Sequence, residues 1–80
     1  MNENELREIL ESLPCPFYTN DTSDEILSEI ISELDIEMKD YDRQVKDGSI
    51  TKDQYDFHWW SILEQLANYH KIPYYEDLEN

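Results

Sequence analysis

Apolar residues recur at helical spacing in three parts of the chain, and residues typical of turns separate these parts. The first part places four apolar residues on one helical face: Leu6, Ile9, Leu10 and Leu13. Asn2 is a suitable N-cap, and Glu5 follows at the spacing of a capping box. Pro14 and Pro16 interrupt the pattern. The pattern therefore predicts a first helix over about residues 3–13.

The second part is the longest and carries a heptad-like apolar seam. Its members are Leu27, Ile31, Leu34, Met38, Tyr41 and Val45, and Ile30 widens the seam. Thr22 and Glu25 have the spacing of a capping box at the start. Gly48 is suited to the left-handed conformation that ends many helices. We predict a second helix over about residues 23–46.

The third part predicts a helix over about residues 52–70. Thr51 and Gln54 form another capping box, and Ile50 with Tyr55 fits a hydrophobic staple. A second seam consists of Tyr55, Trp59, Ile62, Leu66 and Tyr69. Because only a short turn separates the second and third helices, we expect a long antiparallel hairpin with the first helix packed across it.

The predicted fold is thus an all-α, single three-helix domain over residues 1–80. With 39% hydrophobic and 12% aromatic residues, the chain has enough apolar material to form a core despite its charge. The tail, residues 71–80, is first aromatic and then acidic. Either docking onto the helices or a free tail is compatible with its composition.

The charge of the chain narrows the possible functions. Twenty Asp and Glu oppose six Lys and Arg, a net charge of −14. A direct nucleic-acid-binding module needs a basic surface, and an anionic membrane surface would repel this chain. No apolar run approaches the roughly 18 residues of a membrane span, and the acidic start is unlike a signal peptide. We therefore expect a cytoplasmic protein.

Few residues offer catalytic or metal-binding chemistry. Cys15 is the single cysteine, and no motif pairs it with His58 or His70. His58 is expected near the core face of the third helix, as a structural residue. The carboxylates before Gly48 do not have the spacing of a calcium loop. We therefore predict that the protein is not an enzyme and uses no cofactor or metal.

The second helix carries a row of carboxylates that we call the acidic face: Glu25, Glu29, Glu33, Glu37 and Asp40. Asp24, Asp35 and Asp42 line the other flank of the seam. Like charges four residues apart destabilise a helix, and solubility needs a net charge of only about 2–8 in magnitude. From residue 24 to 42 these carboxylates occur about every 3.5 Å, close to the phosphate spacing of about 3.4 Å along a nucleic-acid strand. The plainer interpretation is a solvated helix face.

Apolar residues away from the seams are candidate anchors for a partner. Ile36 lies among the acidic-face residues, and Phe57 and Trp60 lie off or beside the third seam. Tyr74, Tyr75, Glu76 and Asp77 form an aromatic and acidic group in the tail. The alternative is that the first helix and the tail cover these side chains.

The stretch Asn20-Asp21-Thr22-Ser23-Asp24-Glu25, with the acidic helix it begins, resembles helix 2 of the nuclease-colicin immunity proteins over about 25 residues. Proteins of that family are small, acidic, helical and cytosolic inhibitors. The tyrosine pair that the family carries after this helix is missing, since the only adjacent tyrosines are Tyr74 and Tyr75. Membership of the family does not follow from so short a stretch.

The hypothesis these patterns favour is a stoichiometric inhibitor. Its acidic face, with the carboxylates of the first helix, would occupy the basic nucleic-acid site of a partner protein, as a phage anti-CRISPR or anti-restriction protein does. Two alternatives remain. One is an immunity protein or antitoxin that neutralises a nuclease toxin. The other is an acidic helical adaptor or scaffold subunit, whose seams would pair with another helical protein.

Overall fold

The computed structural model describes residues 1–14 and 16–74, and its regular structure is helical. The three helices are α1 (Glu3–Glu11), α2 (Asp24–Asp47) and α3 (Lys52–Tyr69). Within these described residues there is no β-strand, and an isolated antiparallel bridge joins Phe17 to Tyr74. The predictions of an all-α fold and of three helices are confirmed. Among the helix pairs, α2 and α3 share the most contact, and α1 packs against α2.

Side-chain caps define where the helices begin. The Asn2 side chain accepts a hydrogen bond of 2.9 Å from the Glu5 amide, and Thr51 and Gln54 form the predicted capping box of α3. The prediction for α2 was wrong by one residue, because Ser23 rather than Thr22 is the N-cap. Thr22 is buried, and its carbonyl instead accepts a hydrogen bond of 2.8 Å from Arg7.

Two of the helix ends are defined by backbone hydrogen bonds. Gly48 adopts the expected left-handed conformation at φ 78°, and its amide bonds to the carbonyls of Gln44 and Val45. α1 ends at Glu11, earlier than predicted, and Ser12 caps it. The Phe17 amide then donates a 2.9 Å hydrogen bond to the Leu10 carbonyl, so the segment after α1 folds back along the helix.

The core differs from the predicted seam on α3. Its buried residues on that helix are Leu63 and Ala67, whereas Tyr69 is 77% exposed. The other seam residues of α3 are partly buried against the core. The seam was predicted from helical periodicity alone, without the segments that flank α1 and α3. Leu63 and Ala67 share a core with residues of α1 and of the segments after α1 and after α3. The buried side of α3 is therefore rotated away from the predicted seam. The core residues from these other parts of the chain are Leu6, Leu10, Leu13, Phe17 and Ile72.

The segment after α3 packs on the molecule as far as the structure describes it. Ile72 is buried, and the Tyr74 ring stacks on Phe17 with centroids 4.3 Å apart. The Tyr18 amide donates a 2.7 Å hydrogen bond to the Pro73 carbonyl. The tail therefore docks at residues 72–74, and Tyr74 lies against the loop after α1. The candidates Tyr75, Glu76 and Asp77 lie outside the described residues, as does Cys15.

Arg7 connects α1 to the loop and to the start of α2. Its guanidinium donates hydrogen bonds to the carbonyls of Thr19 and Thr22, and it forms a 2.9 Å salt bridge with Asp24. The buried Thr19 hydroxyl in turn donates a 2.9 Å hydrogen bond to Glu11. The Thr19 carbonyl also accepts a hydrogen bond of 3.0 Å from the Thr22 amide. The Arg7 bonds therefore add to a local turn and tie the loop to α1 at the point where α2 starts.

Candidate protein-binding surface

The acidic face is open to solvent over most of its length. Four of its five carboxylate residues are exposed, and Glu33 is half-buried. Asp24 and Glu25 fall in the first turn of α2, where negative charge is favourable to the helix dipole. Burial of the opposite side of α2, through Leu27, Leu34 and Met38, fixes the direction in which these carboxylates point. The face is therefore held rigidly on a 24-residue helix.

His70, at the C-terminal end of α3, contacts the middle of the acidic face. Its Nε2 lies 3.1 Å from the Glu33 carboxylate, and its Nδ1 lies 3.9 Å from that of Glu29. The His70 side chain is only 12% exposed, whereas that of Glu29 is 65% exposed. Sequence reasoning gave His70 no role, since the contact depends on the register between two helices. Glu33 is thus partly engaged within the protein, and Glu29 remains accessible.

The other flank of α2 serves the fold. Asp24 is paired with Arg7, as described above. Asp42 accepts a hydrogen bond from the Tyr55 hydroxyl at the start of α3. Asp35 is exposed, and its negative charge contributes to raising the pKa of Tyr55. All three flank residues remain exposed, and two of them, Asp24 and Asp42, also contact side chains of other helices.

The contact with Asp42 predicts a pH effect on stability. Hydrogen bonding to Asp42, followed by burial and nearby negative charges, raises the pKa of Tyr55 from 10.0 to about 12. The folded protein therefore keeps a proton that the unfolded chain loses above pH 10. The resulting stabilisation is complete below pH 10 and is lost as the pH rises to about 12. We expect the Asp42→Asn variant to lower the Tyr55 pKa in a titration followed by tyrosinate absorbance.

Urea unfolding measured across the same alkaline range supplies the control. The Tyr55→Phe variant should lose less stability between pH 10 and 12 than the parent protein, because it lacks this titration. Parallel losses in the two proteins would show that Tyr55 does not carry the effect.

The candidate apolar anchors differ in exposure. Ile36 is 72% exposed and Phe57 is 69% exposed, so both side chains are available to a partner. Trp60 is 39% exposed and meets the Trp59 ring edge-on.

His58 stacks on Tyr41 with ring centroids 4.4 Å apart and is partly buried, which fits the structural role expected of it.

A groove between α2 and α3 lies beside the acidic face. It has a volume of about 270 Å³ and is lined by Glu37, Ile62, Gln65, Leu66 and Tyr69. Sequence reasoning missed this site because it placed Tyr69 in the core.

In the part of the chain that the structure describes, no group of three or more His, Cys, Asp or Glu residues is arranged to hold a metal ion.

Comparison with known proteins gives no match. No protein-family model, no curated protein and no solved structure is similar to the chain. Within residues 1–14 and 16–74, no helix is both long enough and apolar enough to cross a membrane. The case for a function therefore rests on the surface of the protein.

Proposed function

We propose that the protein is a non-catalytic, stoichiometric inhibitor that occupies the basic nucleic-acid-binding site of a partner protein. The observation that carries this proposal is the row of five carboxylates on one face of α2, four of which are exposed. A phage protein that antagonises a bacterial defence nuclease, acting in the host cytoplasm, would need this kind of surface.

The arrangement of α2 and α3 supports a single continuous surface. Tyr41 meets His58, and Glu33 meets His70, so residues earlier in α2 contact residues later in α3. We infer from these pairings that the two helices form an antiparallel hairpin. In such a hairpin the acidic face and the neighbouring side of α3 can contact one partner together.

The dimensions of the acidic face fit a nucleic-acid groove. From Glu25 to Asp40 the helix rises roughly 22 Å, a length over which one nucleic-acid strand presents about six or seven phosphates. The face offers five carboxylates over that distance. A groove that binds phosphates with Lys and Arg can therefore meet most of its positive charges with a carboxylate.

The net charge supports binding to a basic partner in a second way. A charge of −14 on 80 residues exceeds what solubility requires and destabilises the compact state by self-repulsion. The same charge accelerates association with a basic surface and makes that association sensitive to salt. Ile36, exposed among the carboxylates, would slow dissociation by desolvating on contact.

Competition with nucleic acid tests the proposal. The full-length protein is used to capture partners at low and high salt, and the captured protein is then purified and titrated with its own DNA or RNA. We expect the inhibitor and the nucleic acid to exclude one another, with inhibitor affinity falling as salt increases. Simultaneous binding of both would contradict the proposal.

The same surface would serve an immunity protein or antitoxin. Co-expression with the captured partner separates these roles, because only an immunity protein rescues a host from a toxic nuclease. An adaptor subunit would instead bind a partner without a basic groove, with little dependence on salt.

A further inference from the structure

The groove between α2 and α3 combines one carboxylate, an aliphatic floor and an exposed aromatic ring. Ile62 and Leu66 are partly buried and form the apolar part, while Tyr69 stands 77% exposed on α3. Glu37, which is exposed, contributes the carboxylate from α2. A groove of about 270 Å³ accommodates a single long side chain rather than a whole element of secondary structure.

The Tyr69 ring has one aromatic neighbour. Its ring meets the ring of His70 edge-on at 5.2 Å, and His70 is held against α2 by Glu33. Tyr69 is therefore an exposed aromatic ring that contacts a nearly buried residue and lines the same groove as the Glu37 carboxylate. An exposed ring in such a setting loses little conformational entropy when a partner covers it.

These features match the chemistry of arginine. A guanidinium group stacks on aromatic faces and forms hydrogen bonds with carboxylates, while its three-carbon stem packs on apolar surface. Tyr69, Glu37 and the Ile62–Leu66 floor supply those three interactions in one groove. Lysine, as a compact and strongly hydrated charge, makes poorer use of a planar ring. The charge of −14 makes a basic partner the complementary one.

We propose that this groove binds an arginine side chain of the partner protein. This inference rests on the proposed function, because it assumes a basic partner protein. It adds that an arginine of that partner enters the groove beside the acidic face. The electrostatic attraction between this acidic protein and a basic partner acts over long range and is not specific for one partner. Binding of an arginine in the groove would add a specific contact to it.

The test uses a hexa-arginine peptide and a hexa-lysine peptide of equal charge, each titrated into the isotopically labelled full chain. Amide shifts of Ile62, Gln65, Leu66 and Tyr69 should respond to the arginine peptide more strongly than to the lysine peptide. The Tyr69→Ala variant should bind the arginine peptide about two- to fivefold more weakly, and Tyr69→Phe should retain the parent affinity. Binding of the lysine peptide should change little in either variant.

A matched pair of carboxylate variants locates the site. Glu37→Gln and Glu8→Gln remove the same charge from exposed helix positions, but Glu8 lies on α1, outside this groove. We expect only Glu37→Gln to reduce the preference for arginine over lysine. Equal binding of the two peptides, or equal effects of the two variants, would overturn the inference. Because no partner is present in this assay, its result is independent of competition with nucleic acid.

Discussion

Replacing Phe17 with alanine is expected to reduce the free energy of unfolding by about 3–5 kcal/mol, the usual cost of removing a buried phenylalanine. Phe17 has no exposed surface, and its ring stacks on Tyr74 while its amide bonds to Leu10. The substitution leaves a cavity and also removes the surface on which the segment after α3 is docked. For a domain of this size the total stability is about 4–12 kcal/mol, so the variant should be close to unfolding.

Urea denaturation followed by circular dichroism measures this effect. Phe57→Ala is the matched control, because it removes the same group from a site that is 69% exposed and should change stability by no more than about 0.5 kcal/mol. The Phe17 variant should also show faster proteolysis near Tyr74 under native conditions. Similar unfolding midpoints for the two variants would show that the contact between Phe17 and Tyr74 does not secure the fold.

Charge reversal on the acidic face should have the largest effect on binding. Changing Glu25, Glu37 and Asp40 to lysine alters the net charge from −14 to −8 and leaves the contacts of His70 with Glu29 and Glu33 intact. All three positions are exposed, so the helix content should be preserved. We expect association with the captured partner to slow at least about tenfold at low salt, with a smaller difference at high salt.

The control makes the same change of charge elsewhere on the molecule. Asp35, Asp47 and Glu64 are exposed and lie outside the acidic face, so lysine at these positions also gives a net charge of −8. Association rates are measured by stopped-flow mixing with the partner over a range of salt concentrations. Equal slowing by the two triple variants would mean that total charge, rather than the acidic face, governs binding.

Local features of the structure could be predicted from the sequence. The caps at Asn2 and Thr51, the left-handed end at Gly48 and the approximate extent of all three helices depend on neighbouring residues only. The periodic placement of apolar residues on α2 likewise identified most of its buried side, including Leu27, Leu34 and Met38.

Contacts between distant parts of the chain were not predictable in this way. The buried side of α3 depends on the segments after α1 and after α3, which the helical pattern does not describe. Arg7 and His70 are ordinary polar residues in the sequence, and their roles arise from where other elements place Asp24 and Glu33. The groove at Tyr69 follows from the same rotation of α3, so the sequence pattern assigned that ring to the wrong side.

The bridge between Phe17 and Tyr74 has a consequence for the order of events during synthesis. Phe17 belongs to the core, yet its stacking partner and the carbonyl that pairs with the Tyr18 amide are made only after both long helices. A nascent chain that has emerged as far as α2 therefore holds an incomplete core and an unpaired loop. The ribosome must release the chain as far as Tyr74 before this contact can form. We therefore expect the core to be completed in a late step, after both long helices have been made.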